Sequence, residues 1–188
     1  ALGHGINDVD TATLMPMEQE HMYASVTDVK KGESGAPGEL HGSFDVNRDL
    51  GDLYANTNLG IYGVLRDGAL SSRGGCGGGR PGRGACRRRH HLSNIAGEQV
   101  EEYQVEITHV YPAAAGDTRN LMVQVTDPRL LETTGGIVQG MSGSPILQDG
   151  KLVGAVTHVL VNDPTRGYGI LAENMVSQCV WEEQAQVS

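Results

Sequence analysis

No stretch of this chain comes near the roughly 18 uninterrupted apolar residues of a membrane-spanning helix. The first residues, "ALGHGINDVD", have neither the basic start nor the apolar core of a secretory signal. They also lack an initiator Met, so that observation carries little about location. Cysteine is scarce, and an odd count of 3 fits no closed disulfide framework. Basic residues are outnumbered, 14 Lys and Arg against 23 Asp and Glu. The resulting net charge of −9 argues against a nucleic-acid partner bound through phosphate neutralisation. No internal repeat is evident.

What is present reads as short strands. "HMYASVTDVKKG" alternates around Met22, Ala24, Val26 and Val29, "LGIYGVL" is a compact apolar run, and "EQVEEYQVEITHVYP" alternates Val100, Tyr103, Val105 and Ile107. "NLMVQVTDP", "IVQGM" and "KLVGAVTHVLV" follow as further strands. Turn signals fall about every ten residues, at Gly32 to Gly38, Gly42, Gly51, Gly116, Gly135-Gly136 and Asp149-Gly150. This spacing predicts an all-β barrel or sandwich, and 188 residues suffice for one substantial core or two small barrels sharing an interface. The one expected helix lies in the tail, between Leu171 and Gln186, where Met175, Val176, Cys179 and Val180 recur at helical intervals.

One block departs from this pattern. "SRGGCGGGRPGRGACRRRHH", Ser72 to His91, holds no acidic and no large aliphatic residue. Its Cys76, Cys86, His90 and His91 lack the paired short spacings of zinc modules, so no metal is expected. An RGG-like nucleic-acid segment is compositionally possible but sits oddly inside an acidic β domain. The plain reading is a disordered loop, and the favoured one is a segment translated from a shifted frame of a GC-rich gene.

The chemistry concentrates in "GMSGSP", Gly140 to Pro145. Gly, Ser and Pro together make an ordinary turn. They also suit a nucleophile raised on a tight loop, with Gly140 and Gly143 letting the backbone turn sharply. The N–H groups of Gly140, Met141 and Ser142 would then face a reacting oxygen. The residues alone leave Ser142 and Ser144 as competing nucleophiles. The pattern G-x-S-G-x-P is similar to the nucleophile loop of chymotrypsin-like serine proteases, whose bacterial members often read G-N-S-G-S-P, and this alignment selects Ser142.

A serine hydroxyl needs a histidine base. His90 and His91 belong to the anomalous block, and His21, His41 and His109 have nothing distinctive beside them. His158 lies on the strand after the serine loop. His4, in "ALGHGI", has small neighbours like those around the catalytic histidine of chymotrypsin-like enzymes.

The combination resembles the SpoIVB peptidase family, the sporulation serine proteases of endospore-forming bacteria. The residues that carry this resemblance are the "ALGH" start, "DVDT", "GAPGE", "LGIYG", "VTDPRLLETTGG" and the run "GGIVQGMSGSPILQDGKLVGAVTHVLVNDPTRGYGI". They cover most of the chain outside Ser72 to His91 and the last dozen residues. The resemblance implies a chymotrypsin-like double β-barrel, N-terminally truncated, with one short C-terminal helix, as a single peptidase domain. It places the catalytic histidine on His4, the serine on Ser142 and the acidic member on Asp127, in the chain order His, Asp, Ser. Asp127 precedes Ser142 by only 15 residues, closer than is usual in chymotrypsin-like chains, and Asp8 and Asp10 are alternatives. Thr157 and His158 would line the substrate pocket.

The family resemblance further implies an enzyme without cofactor, which cleaves itself and a membrane-bound sporulation regulator and so triggers sigma-factor processing. Its location would be the intermembrane space of the forespore, to which it is exported, with a PDZ domain and a membrane-associated segment preceding His4. The alternative is a catalytically inactive β-barrel interaction module of the same fold.

Overall fold

The computed structural model describes residues 6–7, 14–15, 20–66, 78, 89–97, 99–111 and 117–177. Two short strands, β1 (Ile6–Asn7) and β2 (Leu14–Met15), pair antiparallel with each other. β3 (Glu20–Lys30), β4 (Glu39–Thr57) and β5 (Gly60–Leu65) form a three-stranded antiparallel meander. β6 (Arg89–Ser93), β7 (Glu101–Val110) and β8 (Leu121–Val125) lead into a short helix, α1 (Pro128–Thr134). β9 (Pro145–Gln148), β10 (Lys151–Leu160) and β11 (Asp163–Leu171) follow, and α2 (Ala172–Val176) ends the described chain.

Six of these strands close into a barrel in the order β10-β11-β8-β7-β6-β9. Alternation drives the closure. Tyr103, Val105 and Ile107 on β7 and Leu121, Val123 and Val125 on β8 are buried at every second position, while their neighbours on β7 face solvent. Met141, Ile146, Val153 and Val156 complete the same cluster. Each such aliphatic side chain taken from water contributes about 1.5–3 kcal/mol, so the barrel interior is the main source of stability here. Asn120, fully buried, accepts hydrogen bonds from the Leu171 N–H at 3.3 Å and from Asn174 Nδ2 at 2.9 Å, which ties α2 to the barrel.

The all-β reading and the short C-terminal helix hold. Among the described residues one barrel is closed, and its companion is the three-stranded sheet. Four local expectations need correction. "IVQGM" is no strand: only Gln139 pairs, in a single parallel bridge to Glu39. Gly42 and Gly51 are not turns but lie within β4, where the pairing register with β3 shifts nearby. A Cβ on Gly51 would collide with the backbone of Val64, so this glycine admits a close strand approach. The tail is not the only helix, since α1 precedes it, and Cys179 and Val180 of the expected tail helix lie outside the described residues.

Nor does the Gly/Arg-rich block run unstructured to His91. Arg89 to His91 pair with β9 on one side, and His90 and His91 pair with β7 on the other, so the end of the block belongs to the strand that closes the barrel. Gly78 bridges to Leu152, whereas Cys76 and Cys86 lie outside the described residues.

The turn between β3 and β4 reaches across to the other sheet. The Gly32 N–H bonds Thr134 O at 2.8 Å and the Gly35 N–H bonds Val161 O at 2.9 Å. Gln139 N–H donates to Gly38 O at 2.9 Å and Gln139 O accepts from the Leu40 N–H at 2.8 Å. Gln139, just ahead of the serine loop, is therefore held by main-chain bonds to Gly38 and Leu40, on either side of Glu39 at the start of β4.

Candidate active site

Two left-handed glycines shape the serine loop: Gly140 has φ 97° and Gly143 φ 89°. An L side chain at either would be strained, and a Cβ on Gly140 would also press within 3.0 Å of Leu40. Between them Met141 is fully buried and anchors the loop in the core. Main-chain bonds then fasten the loop to β10, from the Gly143 N–H to Val156 O at 2.7 Å and from the Val156 N–H to Ser144 O at 2.9 Å.

The hydrogen-bond pattern sorts the three N–H groups expected to face an oxyanion. That of Met141 is engaged with Val138 O at 3.2 Å. Those of Gly140 and Ser142 make no hydrogen bond among the described residues. Two unengaged amides flanking one engaged amide are what a developing alkoxide needs as donors.

Ser142 is half-buried at the tip of this loop, and its Oγ donates to Thr157 O at 3.0 Å. Thr157 is itself fixed, because its Oγ1 donates to Thr118 O at 2.9 Å. Beside Ser142 opens a cavity of about 210 Å³. Ile137, Val138 and Gln139 wall it on one side, and Val156 to Val159 on the other. Thr157 and His158 line this cavity together with Ser142. Ser144 does not line the cavity and serves the loop through its main chain.

His4, Asp8 and Asp10 lie outside the described residues. Of the other histidines, His109 stacks on Tyr111 with ring centroids 6.0 Å apart, and His41 is exposed.

Asp127 stands elsewhere. It is the N-cap of α1, accepting from the Arg129 N–H at 2.9 Å, with Pro128 in the first turn and Gly135 as the left-handed C-cap. Its second oxygen accepts from the Gln104 N–H at 3.1 Å, and the Arg129 guanidinium donates to both oxygens at 3.2 Å. Burial pushes this carboxyl up, but the bonds from the Arg129 side chain and from the Gln104 and Arg129 backbone outweigh it and hold the group below the usual aspartate range. Arg129 also lies over the Tyr103 ring, 5.0 Å from its centroid, and pairs with Glu101 at 3.1 Å. Thr118, linked to Ser142 through Thr157, precedes β8, whereas Asp127 follows it. The structure does not bring Asp127 into contact with Ser142.

Sequence reasoning missed α1, although Asp-Pro ahead of an apolar pair and Gly-Gly behind it is a helix start and stop signal. It also missed the division of labour among the loop amides, which no residue type encodes. Among the described residues no group of three or more His, Cys, Asp or Glu could hold a metal ion, and no helix is long and apolar enough to cross a membrane.

No curated protein and no solved structure matches the chain. A family profile described as SpoIVB peptidase S55 matches residues 1–176, a span that runs through the Gly/Arg-rich block and includes His4, Asp127 and Ser142. With its glycine-flanked serine on a loop fastened to a barrel strand, the chain belongs to the SpoIVB peptidase family, whose members are serine-type peptidases.

Proposed function

We propose that this chain is an endopeptidase that cleaves itself and a membrane-bound sporulation regulator, releasing sigma-factor processing in the space between the forespore membranes. The observation that carries the catalytic part is the loop at Ser142, where the Gly140 and Ser142 amides are unengaged among the described residues, beside a side-chain-sized cavity.

In this reading the Ser142 Oγ attacks the scissile carbonyl carbon while His4 takes its proton. The Gly140 and Ser142 N–H groups hold the oxyanion, His4 returns the proton to the leaving amine, and water then releases the acyl group from Ser142. Thr157 and His158 border the substrate. The acidic partner of His4 is Asp127 by family pattern, and taking up that role requires its carboxylate to leave Arg129. Asp8 and Asp10, close to His4 in the chain, are the other carboxylates for it.

A fluorophosphonate probe tests the core of the proposal on the full chain. Labelling is expected to disappear in Ser142→Ala, to persist in Ser144→Ala, and to slow by about 10³-fold or more in His4→Ala. A folded wild-type chain that takes no label would favour the inactive module. The finer claim is checked with sporulation-stage membranes, where a membrane-embedded regulator fragment should accumulate with wild-type protein and not with Ser142→Ala.

A further inference from the structure

A hydroxyl group has one proton, so it donates to one acceptor at a time. In the folded chain the Ser142 proton is given to Thr157 O at 3.0 Å, and among the described residues that carbonyl is its only acceptor. The contact follows from an irregularity in β10. Val156 pairs with Gly169 and His158 with Tyr168, so Thr157 is the extra residue at a register shift, without a Cα partner on β11. A bulge leaves its extra residue outside the ladder, and here the carbonyl of that residue meets the serine loop. Three further bonds make the contact firm. Beside it the Gly143 N–H donates to Val156 O at 2.7 Å and the Val156 N–H to Ser144 O at 2.9 Å, which fixes the loop against the strand. Thr157 is buried, and its Oγ1 donates to Thr118 O at 2.9 Å, so it is held from the far side as well. With both backbones fixed, the hydroxyl leaves Thr157 O only by turning about χ1 into another staggered well. Donation to Thr157 and donation to a base are therefore two discrete states.

We propose that Thr157 is a positioning residue that keeps the nucleophile at rest: its carbonyl holds the Ser142 proton in the free enzyme, and the bond to Thr118 holds that carbonyl in place. The proposal rests on the peptidase reading above. Before attack the O–H···O bond to Thr157 breaks, the side chain turns, and the same proton is donated to the His4 imidazole. It passes to that ring as the Ser142 Oγ bonds to the scissile carbonyl carbon. A neutral hydrogen bond of ordinary net strength biases the two states by about 2–10-fold. The hold is thus a brake and not a block.

The test uses two substitutions in the full chain: Thr157→Val removes the bond to Thr118 at nearly constant shape, and Thr157→Ser retains it. Thr157→Val should label with fluorophosphonate about 2–10-fold faster than the wild type, while Thr157→Ser stays close to it. A merely structural role gives the opposite sign, because lost order slows labelling. Independently, the His4 imidazole is titrated by NMR in the wild type and in Ser142→Ala. A serine resting on Thr157 leaves that titration unmoved by the substitution, whereas a serine already donating to His4 favours the neutral ring, so that its loss raises the pKa. Equal or slower labelling in a folded Thr157→Val, or a His4 titration that moves in Ser142→Ala, overturns this proposal and leaves the peptidase reading standing. If Thr157→Val fails to fold, the titration alone decides. A wild-type chain that takes no label, or labelling that is as fast in His4→Ala, overturns the peptidase reading and this proposal with it.

Discussion

At the residue scale the serine loop and Asp127 show two kinds of legibility. Gly140 and Gly143 could be read directly, because a nucleophile loop needs left-handed backbone that glycine alone adopts without strain. Asp127 was singled out as the acidic member only by resemblance, while its local bonds follow from the Asp-Pro-Arg sequence: cap, first turn and guanidinium within three residues. Those bonds carry a prediction. Asp127→Ala removes the cap and the Arg129 partner together and should cost about 1–3 kcal/mol in urea unfolding at neutral pH. Asp127→Asn keeps a capping oxygen and should cost less. The native carboxyl titrates below its unfolded counterpart, whose pKa is about 3.9. Its contribution is therefore full above that value and is lost as pH falls through the lower, native one. Both variants should unfold in acid with a shallower pH dependence than the wild type. If Asp127→Asn also slows fluorophosphonate labelling by orders of magnitude while remaining folded, its role extends beyond α1.

At the element scale, alternation made β3 and β7 visible, and short apolar runs made β5, β8 and β10 so. Asp149-Gly150 was equally plain: both adopt positive φ, 52° and 75°, in the two-residue turn that pairs Gln148 with Lys151. β6 was hidden because Arg89, His90 and His91 have no apolar alternation, and their pairing is imposed by β7 and β9 on either side. "IVQGM" misled for the converse reason. Its Ile137, Val138 and Met141 are buried as a strand's would be, yet they enter the core from an irregular segment tied to β4. That tie depends on Gly38, where an added Cβ would meet the backbone of Lys30 and Gly32 and stand 2.7 Å from the Val138 side chain. Gly38→Ala should thus lower stability by about 1–3 kcal/mol and impair labelling at Ser142 more than Gly35→Ala, which strains a left-handed φ of 81° but meets no neighbouring atoms. Thermal unfolding and probe kinetics on the two variants would show whether the difference exists.

At the scale of the whole molecule, fold class followed from turn spacing, but the connection between the sheets did not, since it runs through main-chain groups that any residue possesses. The barrel carries the serine loop through β9 and β10, and the three-stranded sheet holds Gln139, next to Gly140. Hydrogen exchange should resolve these two dependencies. The Gln139 and Leu40 amides are expected to exchange together, in step with β3 and β4, and the Gly143 and Val156 amides more slowly, in step with the barrel core. A single exchange class for all four would mean that the sheets open as one unit.

The main-chain stitch from Gly38 and Leu40 to Gln139 has a consequence for how such a catalyst can be silenced. In the proposed mechanism one of the two oxyanion donors, the Gly140 N–H, follows a residue braced by a sheet whose strands are not among the six that close the barrel. Loosening that brace would leave a polypeptide still folded around its aliphatic centre and still displaying its hydroxyl, yet without the rigid amide needed to receive the charge. Competence would then be lost well before foldedness.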